Sequence, residues 1–414
     1  MAVSRTWHAL VANDTHIWKC KLQEADYSTD IADVPESPNP YKSLYERYHK
    51  LRQNWNHNRC TRKQLEGHAN HVVTCLQFDD DKIVTGSDDH HVNIYDIKTG
   101  ELRRTLEGHD GGVWALQYIG NTLVTGSTDR TIRIWDMDTG RCRHIFRGHG
   151  STVRCLTIVT PTRTRSGQLE PRRTLLVSGS RDHTVRVWEL PSMENSTIDS
   201  EARTSEHMYQ RHKLVGHEGS VRALAAHGSM LASGSYDNTV RIWNISTGRL
   251  QHVLKGHEQK VYTVVIDGER GKCISGSMDS TVRIWDMASG ACDRILQGHH
   301  ILVGLLGLSP NYLVSAAADQ TLRVWSPRTG QCYHTLFGHK AAITSFQHDE
   351  HKVISGSEGS LRMWDIKTGK YMHELISDIN GVWRVAFNER WCVAAVRRWE
   401  KTRIEVMDFG AGCF

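Results

Sequence analysis

The feature that most limits how this chain can fold is an internal repeat of about 40 residues. Gly-His pairs recur with spacings of 41, 40, 68, 40, 42 and 40 residues. A Trp-Asp-like dipeptide follows most of these pairs, as Trp135-Asp136 follows Gly108-His109. Between the two markers, apolar and polar residues alternate on both sides of a Gly-Ser-x-Asp turn, which predicts β-hairpins. The chain is therefore expected to repeat one small β-sheet many times.

The period and the two markers are typical of a WD-repeat β-propeller, in which each blade has four strands. Seven units carry the Gly-His marker, and three more apolar segments follow Asp365 without it. Those segments are 381–387, 392–396 and 402–409. With RKQLE before Gly67 as their fourth strand, they predict an eighth blade that closes the ring and removes exposed sheet edges. We therefore predict an all-β fold, an eight-bladed propeller over residues 61–410.

The first 60 residues lack the repeat and have helical patterns instead. Apolar residues recur at helical spacing from Arg5 to Leu22. Residues 41–55 combine aromatic residues with basic residues between them, which is typical of an amphipathic helix. We therefore predict a short helical module over 1–24 and a linker over 25–60 ahead of the propeller.

The one spacing of 68 residues is explained by insertions within a single blade. Residues 160–173 interrupt a predicted hairpin, and residues 191–207 precede the next outer strand. Both segments are polar and contain Pro or Ser, so we expect mobile surface loops.

Ser, His and Asp recur together in nearly every unit, which could indicate a hydrolase. In the second unit they are His109, Ser127 and Asp129, beside Trp135. An enzyme needs one such set, whereas this chain has five full copies, and these groups can satisfy one another's hydrogen bonds. We therefore predict a structural network and a non-catalytic protein. Blades in which the set is broken, by Ala317 or by Gly359, are expected to be softer.

Composition and motifs exclude several other classes of protein. The formal net charge of +5 is too small to predict nucleic-acid binding. The sequence contains no run of 18 apolar residues, so no membrane-spanning helix is predicted. The sequence has no zinc-ligand spacing and no phosphate-binding Gly-rich loop, so we expect no metal and no cofactor.

Function in a propeller depends on the variable residues at one end of its blades. One such position precedes the repeat Asp, and a second lies five residues after the repeat His. The second position holds Val73, Trp114, Arg154, Arg222, Tyr262, Gly304 and Thr344, with Trp383 in the last unit. Residues at equivalent positions ring the central channel, so those of consecutive blades are expected to be neighbours.

Four arginines are predicted to converge on one arc of this ring. Arg130 lies in the second blade, Arg154 and Arg181 in the third, and Arg222 in the fourth. Trp114, Tyr236 and Tyr262 flank them. The guanidinium group offers a planar fork of donors suited to phosphate oxygens. An aromatic wall suits a Leu- or Pro-bearing peptide. The alternative is that these are ordinary exposed arginines in turns.

The residues around this arc resemble a known family. STVRC (151–155), SGSRDHTVRVW (178–188), GSVRAL (219–224) and SGSYDNTVRIW (233–243) are similar to the F-box/WD-repeat substrate receptors of SCF ubiquitin ligases. The similarity is to the eight-bladed cell-division-control branch, which recognises phosphorylated degrons. The unmarked last blade also resembles that branch.

The resemblance implies roles for the predicted site residues. The arginines that would hold the degron phosphate are Arg154, Arg181 and Arg222, with Arg130 in support. Trp114, Tyr236 and Tyr262 would line the pocket for neighbouring peptide residues. The resemblance also implies phosphorylated protein substrates and a location in nucleus and cytoplasm.

The N-terminal segment resembles the second half of an F-box, and 41–55 resembles the helix that links an F-box to the propeller. In the N-terminal segment, Trp7, Leu10 and Trp18 would face a Skp1-type adaptor. The usual first half of an F-box should precede Val3, so the expectation is an N-terminally truncated F-box. Two alternatives remain open. The chain could be a scaffold that binds unmodified protein partners, or a truncated receptor unable to recruit the ligase.

Overall fold

The computed structural model describes residues 11–25, 27–30, 37–163, 167–191, 203–205 and 209–413, the segment 203–205 by its backbone alone. Trp7 and Leu10, which the resemblance assigns to the adaptor surface, lie outside the described residues. The chain forms two compact units. The first comprises Met1–Lys63, Phe387–Cys392 and Val406–Phe414, and the second comprises Gln64–Ala386 and Val393–Glu405.

The described residues of the first unit include two complete helices, α1 (Thr15–Glu24) and α2 (Pro40–Asn56), and residues 11–13 are also helical. Asp14 caps α1 by accepting hydrogen bonds from two backbone N–H groups, and Asn39 caps α2 ahead of a proline at its first position. Trp18, predicted to face an adaptor, packs against Tyr45 of α2, with ring centroids 5.4 Å apart. Within the described residues, neither helix has the length and apolar character needed to cross a membrane.

The end of α2 packs against the C-terminal segment of the same unit. The Trp55 indole stacks on Phe409 with centroids 3.6 Å apart and donates to the Glu389 carbonyl at 2.6 Å. Asn54 Nδ2 donates to the Phe409 carbonyl oxygen at 2.7 Å. Trp55, an aromatic residue of the helix predicted over 41–55, is therefore buried in an apolar contact.

All but two of the strands form eight sheets, which we number as blades in chain order. Strand β1 is Thr61–Glu66. Blade 1 contains β2 (Val73–Phe78), β3 (Lys82–Ser87), β4 (Val92–Asp96) and β5 (Leu102–Leu106). Blade 2 contains β6 (Val113–Ile119), β7 (Thr122–Ser127), β8 (Ile132–Asp136) and β9 (Cys142–Phe146). Blade 3 contains β10 (Val153–Val159), β13 (Leu175–Ser180), β14 (Val185–Glu189) and β16 (Gln210–Leu214), and its insertion contains β11 (Thr162–Arg163) and β12 (Leu169–Glu170).

The remaining strands follow the same order. Blade 4 contains β17 (Val221–His227), β18 (Met230–Ser235), β19 (Val240–Asn244) and β20 (Arg249–Leu254). Blade 5 contains β21 (Val261–Asp267), β22 (Lys272–Ser277), β23 (Val282–Asp286) and β24 (Cys292–Leu296). Blade 6 contains β25 (Val303–Leu308), β26 (Leu313–Ala317), β27 (Leu322–Trp325) and β28 (Cys332–Leu336). Blade 7 contains β29 (Ser345–His348), β30 (Lys352–Ser357), β31 (Gly359–Asp365) and β32 (Tyr371–Ile379). Blade 8 contains β33 (Gly381–Phe387), β34 (Trp391–Arg398), β35 (Lys401–Asp408) and β1.

The prediction of an eight-bladed propeller is confirmed, including the strand that closes the ring. The last sheet has the order β1-β35-β34-β33, so the segment before Gly67 is its outer strand. Beyond β1 the backbone N–H of Gly67 donates to the Thr402 carbonyl at 3.2 Å, and Thr402 Oγ1 donates to the His71 carbonyl at 2.6 Å. Without β1, strand β35 would be the unpaired outer edge of blade 8.

The two insertions contain short strands that their polar composition did not predict. In the first, β11 and β12 pair as an antiparallel hairpin. In the second, strand β15 (Arg203–Ser205) pairs in parallel with β9 and gives blade 2 a fifth strand. The outer strand of a blade exposes unpaired backbone N–H and C=O groups, and this edge is what β15 pairs with.

The apolar core lies between adjacent blades. Val113 of blade 2, for example, packs in one buried cluster with Val84 and Val92 of blade 1. Adjacent blades pack closely at the repeat glycine. A Cβ on Gly126 of blade 2, for example, would lie 2.6 Å from Cγ1 of Val153 in blade 3. The small repeat glycine therefore permits the close packing of blade 2 against blade 3.

The predicted polar network exists, but its hydroxyl residue was assigned wrongly. In blade 2, His109 contacts Asp129 Oδ2 at 2.6 Å through Nδ1 and Thr125 Oγ1 at 2.7 Å through Nε2. Trp135 Nε1 donates to the same Thr125 hydroxyl at 2.8 Å. Ser127 lies one residue pair nearer the turn, and there its hydroxyl donates to the Gly111 carbonyl instead.

This correction also removes the reason to expect a softer sixth blade. Ala317 replaces the serine of the turn, whereas the network hydroxyl is Ser315, which both the His and the Trp of that blade contact. In blade 7, where Gly359 replaces the Asp, the hydroxyl of Ser357 contacts His339 Nδ1 at 2.7 Å. Burial, with the charge of a nearby arginine, lowers the pKa of His339 to about 4, so its ring is neutral near pH 7.

The two serines of one Gly-Ser turn allow a direct test of the corrected network. Ser275→Ala in blade 5 would leave His257 Nε2 and Trp285 Nε1 buried without an acceptor or donor. We expect a loss of roughly 2–4 kcal/mol in the free energy of unfolding, measured by urea denaturation. The matched variant Ser277→Ala removes a bond to the Gln259 carbonyl and one from the Asp279 backbone N–H, leaves the His257 and Trp285 bonds intact, and should cost about 1–2 kcal/mol. Equal costs for the two variants would contradict the assignment.

Candidate functional site

A β-bulge at the start of the first strand positions one half of the predicted site. In blade 3, Val153 pairs with Ser180 and Cys155 with Gly179, so Arg154 between them is left without a partner in the register. The same irregularity occurs in blades 1, 2, 4, 5 and 6. A bulge re-aims the side chain of its extra residue.

The bulge accounts for one correction to the sequence analysis. The bulged residues are Thr74, Trp114, Arg154, Arg222, Tyr262 and Gly304. In blade 1 the position is therefore occupied by Thr74 and not by Val73, which is buried and pairs with Ser87. Blade 1 has one more residue between its Gly-His marker and its first strand, and a fixed count of five residues missed it.

The second position lies in the turn between the second and third strands of each blade. The backbone N–H of Arg181 donates to the Thr152 carbonyl at 2.9 Å, and that of Tyr236 donates to the Ser220 carbonyl at 3.0 Å. Each turn is thereby fixed beside the residues that precede the bulge. Arg181 and Arg154 consequently lie at the same end of blade 3.

Aromatic side chains of neighbouring blades contact the cationic ones. The Arg154 guanidinium lies 5.8 Å from the ring centroid of Trp114. Tyr236 of blade 4 and Tyr262 of blade 5 have centroids 5.1 Å apart at an angle of 38°. Lys260 Nζ lies 5.2 Å from the Tyr236 centroid, and the sequence analysis did not identify it. Its place directly before the first strand of blade 5 is the signal that could have found it.

The pKa of Tyr262 is influenced by residues of blades 3 and 4 as well as by its burial. Burial and the neighbouring Tyr236 raise the pKa of Tyr262, while the charges of Arg222 and Arg154 act in the opposite direction. Arg154 of blade 3 and Arg222 of blade 4 are therefore both close to this phenol. Arg154, Arg222 and Tyr262 thus lie on the consecutive blades 3, 4 and 5, and their role in binding stays a prediction.

A further arginine, Arg384 of blade 8, follows Trp383 and was not among the predicted site residues. Burial lowers the pKa of Arg384, and the positive charge of Arg222 adds to that effect. Arg384 Nε donates to the Thr74 carbonyl at 2.6 Å. It thus adds positive charge near Arg222, and its position one residue after Trp383 in β33 is the only sequence signal for it.

The other two arginines are less closely connected. Arg130 and Arg181 are both exposed. Within the described part of the chain, none of Arg130, Arg154, Arg181 and Arg222 pairs with a carboxylate. The arc therefore has positive charge without a counterion beside exposed aromatic surface, which is suited to an anionic peptide group. No group of three or more described His, Cys, Asp or Glu side chains could hold a metal ion.

The family model for the WD domain, G-beta repeat, matches seven segments of the chain. They are 58–96, 100–136, 140–189, 208–244, 248–286, 290–326 and 330–365. The chain belongs to the WD-repeat family. The matches to this WD-repeat protein end at residue 365, so they leave out β33, β34 and β35 of the eighth blade, which lack both markers.

Similar proteins confirm the resemblance noted in the sequence. Cell division control protein 4 of Candida albicans is 48% identical over 84% of this chain and 53% of its own length. WD repeat-containing protein pop2 of Schizosaccharomyces pombe is 40% identical over 98% of this chain and 62% of its own length. The F-box/WD repeat-containing protein sel-10 of Caenorhabditis elegans is 37% identical over 53% of this chain and 48% of its own length. This WD-repeat chain thus spans about half to three-fifths of the length of these curated relatives.

A solved structure agrees with the fold. The crystal structure of the computationally designed Ika8 protein superposes with a TM-score of 0.69 at 29% identity. It covers 83% of this chain, and 98% of the designed chain is matched.

Proposed function

We propose that this protein is a non-catalytic substrate receptor of an SCF-type ubiquitin ligase that binds phosphothreonine or phosphoserine degrons. The single observation that carries the proposal is the set of arginines beside Trp114, Tyr236 and Tyr262 that have no carboxylate partner among the described residues. Arg154, Arg181 and Arg222 would bind the phosphate, and Arg130 would support them. Similarity to cell division control protein 4 and to sel-10 is consistent with this role.

A phosphoryl group matches this arc in both charge and geometry. It carries about −1.5 to −2 charge and three acceptor oxygens. Guanidinium groups donate to such oxygens through two parallel N–H groups each. The tilted pair of Tyr236 and Tyr262 would contact an apolar residue that neighbours the phosphorylated one. The phosphate is thus held by charge and the peptide by aromatic packing.

The partners follow from the same proposal. The substrates are phosphorylated proteins, and a Skp1-type adaptor would bind the N-terminal segment, in nucleus and cytoplasm. One relative carries the name probable E3 ubiquitin ligase complex SCF subunit sconB, from Talaromyces marneffei, and is 38% identical over 25% of this chain.

Arg181→Ala tests the part of the site that rests on sequence register alone. We expect affinity for a Leu-Leu-phosphoThr-Pro peptide to fall about ten- to a hundredfold in a fluorescence-anisotropy titration. The reason is the loss of charge-assisted hydrogen bonds worth roughly 1.5–3 kcal/mol. Arg141→Ala, which removes an exposed arginine at the opposite end of blade 2, is the matched control and should bind as the wild type does. Unchanged affinity in Arg181→Ala would remove this residue from the site.

A further inference from the structure

The insertion in blade 3 builds a concave site at the end of the propeller opposite the arginine arc. The insertion precedes β13 at Leu175, whereas the turn that carries Arg181 follows the same strand at Ser180. Because one strand separates them, the two sites lie at opposite ends of the blade. An inference about this site is therefore independent of the proposed function.

The site is a cavity of about 850 Å³ between the β11–β12 hairpin, the outer part of blade 3 and the first residues after β19 in blade 4. Its charged lining residues are Arg163, Arg172, Arg173, Arg211, Glu170 and Glu189. Four arginines thus face two glutamates. The hairpin supplies one wall of the cavity.

Both glutamates of the cavity already have partners. Glu189 accepts hydrogen bonds from Arg173 through one carboxylate oxygen and from Arg211 through the other. Glu170 Oε2 accepts from the Ser229 hydroxyl of blade 4 at 2.8 Å, which fixes the hairpin against that blade. The carboxylates therefore shape the cavity and do not neutralise all of its positive charge.

The remaining cations are Arg163 on β11 and Arg172 after β12. Both side chains are exposed, and within the described residues neither has a carboxylate partner. Leu169 of the hairpin also lines the cavity and is 48% exposed. The cavity surface thus combines two guanidinium groups that have no carboxylate partner among the described residues with one exposed apolar side chain.

We propose that this cavity is a docking site for an acidic peptide segment of a protein partner, with Glu or Asp side chains around one apolar residue. Arg163 and Arg172 would bind the carboxylates through bidentate hydrogen bonds. Leu169 would contact the apolar residue of the peptide. The two existing Glu189 bonds hold Arg173 and Arg211 in place, so the charged wall is preformed, which lowers the cost of binding.

The test uses a fluorescein-labelled Glu-Glu-Glu-Leu-Glu-Glu-Glu peptide, its Gln twin and the whole chain in anisotropy titrations at low salt. The Glu peptide should bind, the Gln twin should bind at least about tenfold more weakly, and added salt should weaken the Glu peptide. The double variant Arg163→Glu/Arg172→Glu should lose about tenfold or more in affinity. Arg328→Glu, an exposed arginine at the same end of blade 6, is the matched control and should bind as the wild type does.

Three results would overturn the docking site: no binding of the Glu peptide, equal binding of its Gln twin, or full affinity in the double variant. Displacement of the peptide by a DNA duplex at lower concentration would also overturn it in favour of a nucleic-acid surface. The double variant must still melt as the wild type does, because both substituted side chains are exposed. Failure of the phosphothreonine peptide to bind would contradict the proposed function and leave this test unaffected.

Discussion

The double variant Arg154→Ala/Arg222→Ala is expected to bind a phosphothreonine peptide roughly 10²–10⁴-fold more weakly than the wild type. The charges of both guanidinium groups act to lower the pKa of Tyr262, and in the proposed function both bind one phosphate. Each would contribute charge-assisted hydrogen bonds worth about 1.5–3 kcal/mol, or about 3–6 kcal/mol in total. Fluorescence anisotropy with a labelled Leu-Leu-phosphoThr-Pro peptide measures the loss.

The variant Arg154→Lys/Arg222→Lys separates charge from geometry. Lysine retains the positive charge but cannot donate two parallel hydrogen bonds from one planar group. We therefore expect an affinity between those of the wild type and the double alanine variant. Full binding by the alanine variant would place the phosphate elsewhere on the protein. Circular dichroism melts of all variants exclude unfolding as the cause.

Trp55→Ala should reduce the free energy of unfolding of the first unit by about 3–5 kcal/mol. Trp55 is 4% exposed, stacks on Phe409 at 3.6 Å, and donates to the Glu389 carbonyl. The variant would remove the stacking contact with Phe409 and the indole hydrogen bond to the Glu389 carbonyl. Thermal melts combined with limited proteolysis near residues 57–60 measure the effect.

The matched control is Trp399→Ala, because Trp399 is 86% exposed in the turn between β34 and β35. The same chemical change there should alter stability by no more than about 0.5 kcal/mol. A Trp55→Ala protein as stable as the Trp399→Ala protein would show that the C-terminal segment is not held by this stack.

The fold could be predicted because the repeat indicates both the hairpins within each unit and the number of units. Even the unmarked eighth blade could be counted, since RKQLE before Gly67 needed a partner strand. The short strand β15 could not be predicted, because its pairing with β9 depends on an edge that is distant in sequence. The network hydroxyl was also missed. Thr125 and Ser127 lie on the same side of one strand, and only their distances to Trp135 and His109 separate them.

The candidate site could be predicted as far as equivalent sequence positions of the repeats occupy equivalent places in the blades. The register placed Arg154, Arg222 and Tyr262 on adjacent blades, and the electrostatics of Tyr262 agree. A fixed count failed at Thr74, because the length of the preceding loop varies and the bulge, not the count, selects the residue. Arg384 was missed because its contact with the Thr74 carbonyl joins the two ends of the ring.

The measurement that tests the central claim most directly is the affinity of the wild-type protein for a Leu-Leu-phosphoThr-Pro peptide against that for its unphosphorylated twin. Fluorescence anisotropy under identical salt conditions gives both dissociation constants. Because the phosphate would meet several unpaired guanidinium groups, we predict that the phosphorylated peptide binds about a hundredfold or more tightly than its twin. Equal affinities, or no binding of either peptide, would contradict a phosphodegron receptor and favour a propeller scaffold that binds unmodified partners.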